Sequence, residues 1–458
     1  MKIKIVYFLI IFKILAQGKF FTGVDISSYQ KVMDNGGKFL EQGIEKDLID
    51  IIVNNKIDFI RLKLWHSPSE NYNNLKKVVE IAKTAKQKKI KFLLDIHYSD
   101  TWADPANQTK PAVWKNLEYH VLLDSVYNYT KTVIEIFKEN NCMPDIVQIG
   151  NEITSGFLWN DGKVGGEYDN FTQWQKFTNL LKMAIKAVNE ANNLEDTIKI
   201  MLHIDKGGDK NASEWFFDNI KYWNVNYDLI GLSYYPWWHG DMQALKENII
   251  YLRNNYGKPV YVIETAYPFT LEWNDNVNNI VGNESQLLTG YSATKEGQKN
   301  YINDLLNLLK NSTNYSCEGL FYWEPAWIST QIWGSPWENL CLFDFNGESL
   351  PALKVLNTKV TSCENTSLTK TKDCKIIFVY PNPFNNTANI KIILEKESKL
   401  QISLFSILGK EIKTIIDENP KNGEIYYQID SENLTTGVYL LKIKINDEIQ
   451  FQKIIITK

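Results

Sequence analysis

Eight short apolar runs recur along the first part of the chain, at 20–26, 58–65, 90–97, 145–151, 198–203, 229–234, 259–265 and 319–324. Each is long enough for a strand and too short for a helix of a packed domain. Amphipathic stretches separate them, for example 74–88, 118–140, 171–191 and 294–310. In the first of these, Val78, Val79, Ile81, Ala82 and Ala85 interleave with Lys76, Lys77, Lys83, Lys86 and Lys88. That is the pattern of a half-buried helix. Strands that are apolar on both faces belong to a parallel sheet covered by helices. Eight of them, each followed by a helix, predict an α/β chain closed into a (β/α)8 TIM barrel. An open doubly wound sheet is the competing arrangement, but no Gly-rich phosphate loop follows any of the runs.

Tryptophan usage divides the chain. All 14 tryptophans lie between Trp65 and Trp337. Residues 356–374 are rich in Thr, Ser, Asn and Lys and read as a linker. Residues 375–458 then switch to short alternating runs at 389–394, 400–405, 424–429, 437–445 and 450–456, which predict a small all-β sandwich. At the other end, Lys2 and Lys4 precede an apolar run ending near Ala16, the pattern of a secretory signal peptide over 1–17. The expected organisation is therefore a signal peptide (1–17), a barrel domain (18–355), a linker (356–374) and a sandwich (375–458).

Export permits disulfides, yet there are only five cysteines and no C-x-x-C pair. Cys363 and Cys374 are one possible bridge, with buried free thiols the alternative. The five histidines are scattered, which argues against a structural zinc site. A formal net charge of -4 over 458 residues suits no nucleic-acid partner. A neutral polymer fits better.

Catalytic groups of such barrels sit where strands end and loops begin. Run four ends in VQIGNEITSG, placing Asn151 and Glu152 at the rim, and run seven ends in VYVIETAYP, placing Glu264 there. A carboxylate closing a buried strand loses hydration and needs partners. A salt bridge explains either glutamate alone. Two of them facing one mouth suit glycoside hydrolysis, which needs two carboxyl groups across a cleft. Other ends agree: Arg61 in FIRLKLW, His97 and Asp100 in LLDIHYSDTWADP, Tyr234 and Tyr235 in LSYYPWW, Trp323 and Glu324 in FYWEPAW. Arg61 and Tyr234 are long enough to orient a carboxylate. Trp102, Trp237, Trp238, Trp323 and Trp327 offer flat faces for sugar rings.

These segments, with FTGVDISSYQ near the start, resemble glycoside hydrolase family 53, the endo-β-1,4-galactanases, over about residues 20–355. The family often has GADVSS where this chain has GVDISS; Asp25 is kept. The resemblance implies a secreted glycosidase that cleaves β-1,4-galactan side chains of pectin internally and with retention. It implies Glu152 as acid/base and Glu264 as nucleophile, and Asp25, Arg61, His97, Asp100, Trp102, Asn151, Tyr234, Trp237 and Trp323 as substrate-binding or supporting residues. No cofactor is required. Some bacterial members carry calcium, for which Asp344 and Asn346 offer a weak ligand pattern. A monomer is expected. The tail, with YPNPF at 380–384, ISLFSILGKEI and LTTGVYLLKI, resembles the C-terminal sorting domain of type IX secretion, implying that machinery as a partner and export across both membranes. The alternatives are a mannanase or cellulase of the same clan, and a non-catalytic galactan-binding surface protein.

Overall fold

A computed structural model describes residues 20–192, 198–312 and 316–357, and residues 374–457 apart from 381, 383, 395, 407–409, 419–421 and 447. The expected signal peptide and Cys363 lie outside the described residues. Two compact units divide near residue 360.

The first unit is a closed barrel of eight parallel strands. They are β1 (Phe21–Asp25), β2 (Phe59–Leu64), β3 (Lys91–Ile96), β4 (Ile146–Ile149), β5 (Lys199–Ile204), β6 (Leu229–Ser233), β7 (Val260–Glu264) and β8 (Cys317–Tyr322). Each neighbours the next, and β8 pairs with β1. All eight coincide with the expected runs. The outer helices are α1 (Leu48–Asn54), α2 (Leu75–Gln87), α3 (Tyr119–Glu139), α4 (Phe171–Ala191), α5 (Lys210–Tyr222), α6 (Met242–Tyr256), α7 (Lys295–Asn307) and α8 (Pro351–Val355). Helix α2 starts at Asn74, whose side chain accepts from the Lys77 N–H, and it buries Val78, Val79, Ala82 and Ala85. Its lysines stay on the outer face, as the periodicity predicts.

Two kinds of residue fill the barrel. Its lower interior is apolar, packed from Phe59, Leu93, Ile146, Met201, Leu229, Tyr261, Ile263 and Phe321. The rings need room. A Cβ on Gly23 of β1 would lie 2.3 Å from the Phe321 ring, so only glycine fits there. Two residues further along β2, β3, β4 and β5 the same face turns polar, with Arg61, Asp95, Gln148 and His203, and that layer carries the site.

The second unit holds seven strands in two sheets. The strands are β9 (Cys374–Tyr380), β10 (Thr387–Leu394), β11 (Leu400–Ser406), β12 (Glu411–Glu418), β13 (Gly423–Asp430), β14 (Gly437–Ile445) and β15 (Glu448–Ile456). One sheet runs β9–β10–β13 and the other β12–β11–β14–β15. Tyr439, Leu441, Ile443 and Ile445 alternate inward on β14 and share a core with Ile390, Ile392 and Leu404. The five expected strands become seven. Strand β12 was missed because, as an edge strand exposed along most of its length, it carries no clean alternation.

Candidate active site

Arg61 stands at the centre of the polar layer and is fully buried. Its Nε donates to Gln148 Oε1 at 3.2 Å. One terminal nitrogen donates to Asp25 and Glu264 at 2.9 and 2.8 Å, the other to Asp95 and Asn151, both at 2.9 Å. All five donors of the guanidinium are thus engaged. Burial works against its charge, but Asp95, Glu264 and Asp25 outweigh that and hold the guanidinium firmly protonated. The acceptors are held in turn. Gln148 donates to Asp95 at 2.6 Å, His97 Nε2 lies 3.0 Å from Asp95, and Asn151 donates to the Ala103 carbonyl at 2.8 Å.

Glu264 closes β7. Its two oxygens receive Arg61 and, at 3.0 Å, the hydroxyl of Tyr235. The pairing of β6 with β7 shifts register between Leu232 and Ser233, opposite Ile263 and Glu264. This bulge lets both Ile263 and Glu264 point into the barrel, where strict alternation would send one outward.

Glu152 follows β4 in a left-handed backbone conformation, φ 49°. That region is disfavoured for a residue with a Cβ and recurs at functional positions. Ser233 Oγ lies 2.7 Å from Glu152 Oε1, and His203 Nε2 lies 2.9 Å from Ser233 Oγ. Burial, then Arg61, keeps His203 well below its usual range, so the ring is neutral. Burial drives the Glu152 carboxyl well above the usual range, and the charges of Glu264 and Asp205 push it further. Burial also lifts Glu264, to about 7, with Arg61 pulling it back.

These groups floor a cavity of about 260 Å³. Its walls include Trp102, Trp238, Trp323, Trp327 and Trp337. The rings of Trp102 and Trp327 lie 15° from parallel. Lys63 donates to Glu324 at 3.0 Å and sits 3.7 Å from the centre of the Trp102 ring. Two carboxyls facing one cleft, one gripped by cationic and phenolic donors and one touched by a hydroxyl, form an acid–base pair of unequal members.

Residues 21–356 match Glycosyl hydrolase family 53. The chain belongs to that family. It is 34% identical to the arabinogalactan endo-beta-1,4-galactanase of Cellvibrio japonicus, over 73% of this chain and 89% of that one. Among solved structures, the family 53 catalytic domain of Ignisphaera aggregans is 38% identical with a TM-score of 0.69, covering 74% of this chain and 95% of that one. A fungal beta-1,4-galactanase structure is 30% identical with a TM-score of 0.65, covering 74% and 99%. Residues 378–457 match the secretion system C-terminal sorting domain, which marks the protein for secretion or the cell surface.

In this family 53 chain, Asp25, Arg61, His97, Trp102, Asn151, Glu152, Glu264 and Trp323 all line the cleft. Three expected residues do not. Tyr234 is buried on the outer face of its strand end, where its hydroxyl donates to the Gly240 carbonyl; alternation gives the inward place to its neighbour Tyr235. Asp100 is a brace, accepting from the Ser67 and Ala112 N–H groups. Trp237 belongs to the short helix Pro236–His239 and packs on Tyr235 and Trp337, which leaves Trp238 to face the cleft. Sequence reasoning missed Lys63, Asp95, Gln148, His203 and Ser233. Their signal was parity: Lys63 lies two residues after Arg61, and Asp95 two before His97.

Among the described residues no group of three or more His, Cys, Asp or Glu could hold a metal. Asp344 accepts from Lys295 and from the Asn346 and Glu348 N–H groups, so its turn is closed without calcium. Cys142, Cys317 and Cys341 are buried, and none of them forms a disulfide among the described residues.

Proposed function

We infer that this protein is a retaining endo-β-1,4-galactanase acting on the (arabino)galactan side chains of pectin, with Glu264 as nucleophile and Glu152 as acid/base. The unequal surroundings of the two carboxyls carry this reading. Arg61 and Tyr235 both donate to Glu264 and favour its charged form. Glu152 has only Ser233, whose hydroxyl can accept from a protonated carboxyl or donate to a charged one. The single proton shared by the pair therefore rests on Glu152.

Glu264 attacks the anomeric carbon as its bond to the leaving oxygen breaks, and Glu152 gives its proton to that oxygen. The product is a galactosyl ester on Glu264. Glu152, now charged, takes a proton from water. The water oxygen attacks the anomeric carbon and frees Glu264. The tryptophan walls hold sugar rings by their apolar faces, and Arg61 keeps Glu264 aimed. Similarity to named galactanases supports galactan as the polymer. The sorting domain supports export across both membranes by type IX secretion.

The test is turnover of linear galactan, mannan and soluble cellulose by the protein and its Glu152→Gln and Glu264→Gln variants. Galactan is cut with retention, seen by NMR of the first product anomer. Glu264→Gln abolishes turnover, and Glu152→Gln lowers it by about 10²–10⁴-fold. Preference for mannan or cellulose moves the enzyme to another substrate. Near-normal rates in both variants remove the assignment.

A further inference from the structure

A second pocket, of about 590 Å³, has a lining that begins at Thr154, two residues after Glu152 in the chain. Its lining includes Thr154, Trp159, Lys163, Tyr168, Lys206 and Trp215. The ammonium of Lys163 lies 4.4 Å from the centre of the Trp159 ring and 4.7 Å from that of Tyr168. The three aromatic residues are only half-buried.

The loop that builds this pocket is tied to the backbone of Glu152. The Trp159 N–H donates to the Gln108 carbonyl at 2.8 Å, and the Gln108 side chain donates to the Asn151 carbonyl at 2.7 Å and more loosely to that of Glu152. The Val164 N–H returns to the Ser155 carbonyl at 3.1 Å, and Gln173 donates to the Lys163 carbonyl at 2.9 Å. Trp215, on α5, donates to Asp169 at 3.2 Å. A Cβ on Gly165 would meet the Trp215 ring at 3.3 Å, so the loop lies close against it. Asp205 accepts from two residues of the lining, Thr154 and Lys206, at 2.5 and 2.6 Å, and its charge acts on Glu152.

A general acid sits beside the leaving oxygen, so whatever continues past Glu152 faces the leaving part of the polymer. Trp323 and Trp327 follow β8, which stands diametrically opposite β4 in the closed barrel. We propose that the Trp159–Tyr168–Trp215 pocket is a remote subsite for the leaving end of the polysaccharide, stacking neutral galactosyl rings on its aromatic walls and offering the Lys163 ammonium to their hydroxyls. This rests on the galactanase reading and on Glu152 as the acid. The volume is within the range of ordinary ligand pockets, and a preformed wall spares the ordering that a mobile loop would require on binding.

The experiment compares two substrates in Trp215→Ala, Tyr168→Ala and Lys163→Met. One is long galactan. The other is an aryl β-galactobioside, whose single-ring leaving group stops beside Glu152. Each variant loses about three- to tenfold in kcat/KM on galactan, and none on the aryl substrate. End-labelled galactohexaose is cut at a different bond by the variants. Equal losses on both substrates, or no loss and an unchanged cutting position, overturn the subsite. Lys163→Met keeps the side chain's bulk and answers the question if an aromatic variant fails to fold. A wild-type protein that cuts the aryl substrate but leaves galactan whole overturns the galactanase reading itself, and the subsite with it.

Discussion

The proton on Glu152 is held by a short chain of groups. With His203 neutral, Ser233 can turn its hydroxyl toward either neighbour, so the acid is held in place both before and after it gives up its proton. Ser233 also stabilises the charged form of Glu152 and so opposes the upward push of burial. Ser233→Ala removes that opposition. The Glu152 carboxyl then keeps its proton to higher pH, and the alkaline limb of the kcat/KM profile moves upward in pH. The loss of positioning lowers kcat roughly tenfold, short of the roughly 10²–10⁴-fold that loss of the acid/base itself costs. A pH profile of variant and parent decides the point; a limb that stays in place, or moves down, refutes the role. The same scale shows what sequence could and could not say. Glu152, Glu264, Arg61 and Asn151 were legible because each is polar where an apolar run ends. Tyr234 and Tyr235 are adjacent and alike, and only the pleat decides which one turns to Glu264.

At the level of elements, alternation accounts for most of the site and fails at one place. Phe59, Arg61 and Lys63 follow one face of β2 from apolar floor to cleft, and Leu93, Asp95 and His97 do the same on β3. On β7 the rule would separate Ile263 from Glu264, and the bulge opposite Ser233 overrides it. Nothing in VYVIETAYP marks a bulge, so the direction of the nucleophile was an inference from its place at a strand end. The apolar floor beneath it is tightly fitted. Gly23→Val forces a branched side chain into the Phe321 ring and should destabilise the barrel by about 1–3 kcal/mol. Thermal unfolding measures this; a variant that melts with the parent would mean that the ring moves aside freely.

At the scale of the molecule the cores of the barrel unit and of the sandwich share no members among the described residues. The barrel closes on itself through β8 and β1, and all the groups assigned to chemistry belong to it. A chain ending at residue 357 should therefore melt where the barrel of the whole protein melts and cut galactan with unchanged kcat/KM. In its own host that shortened chain should accumulate inside the outer membrane, as fractionation would show. Normal export without residues 375–458 would remove the sorting role. The two-unit division was legible from tryptophan usage alone. The barrel needs large rings for its walls, whereas the tail packs its sandwich with isoleucine and leucine.

Arg61 has no N–H to spare, and Lys63, the other cation lining the cleft, is already paired with Glu324. The positive charge of Arg61 is already surrounded by Asp25, Asp95 and Glu264. An acidic sugar would find no unpaired cation there, whereas a ring carrying a protonated nitrogen would be drawn in. A galactose-shaped iminosugar should consequently inhibit more strongly than its neutral lactam, and the gap should close as the pH rises past the amine's own pKa. Inhibition constants across pH would show whether the enzyme selects ligands by the sign of their charge as well as by their shape.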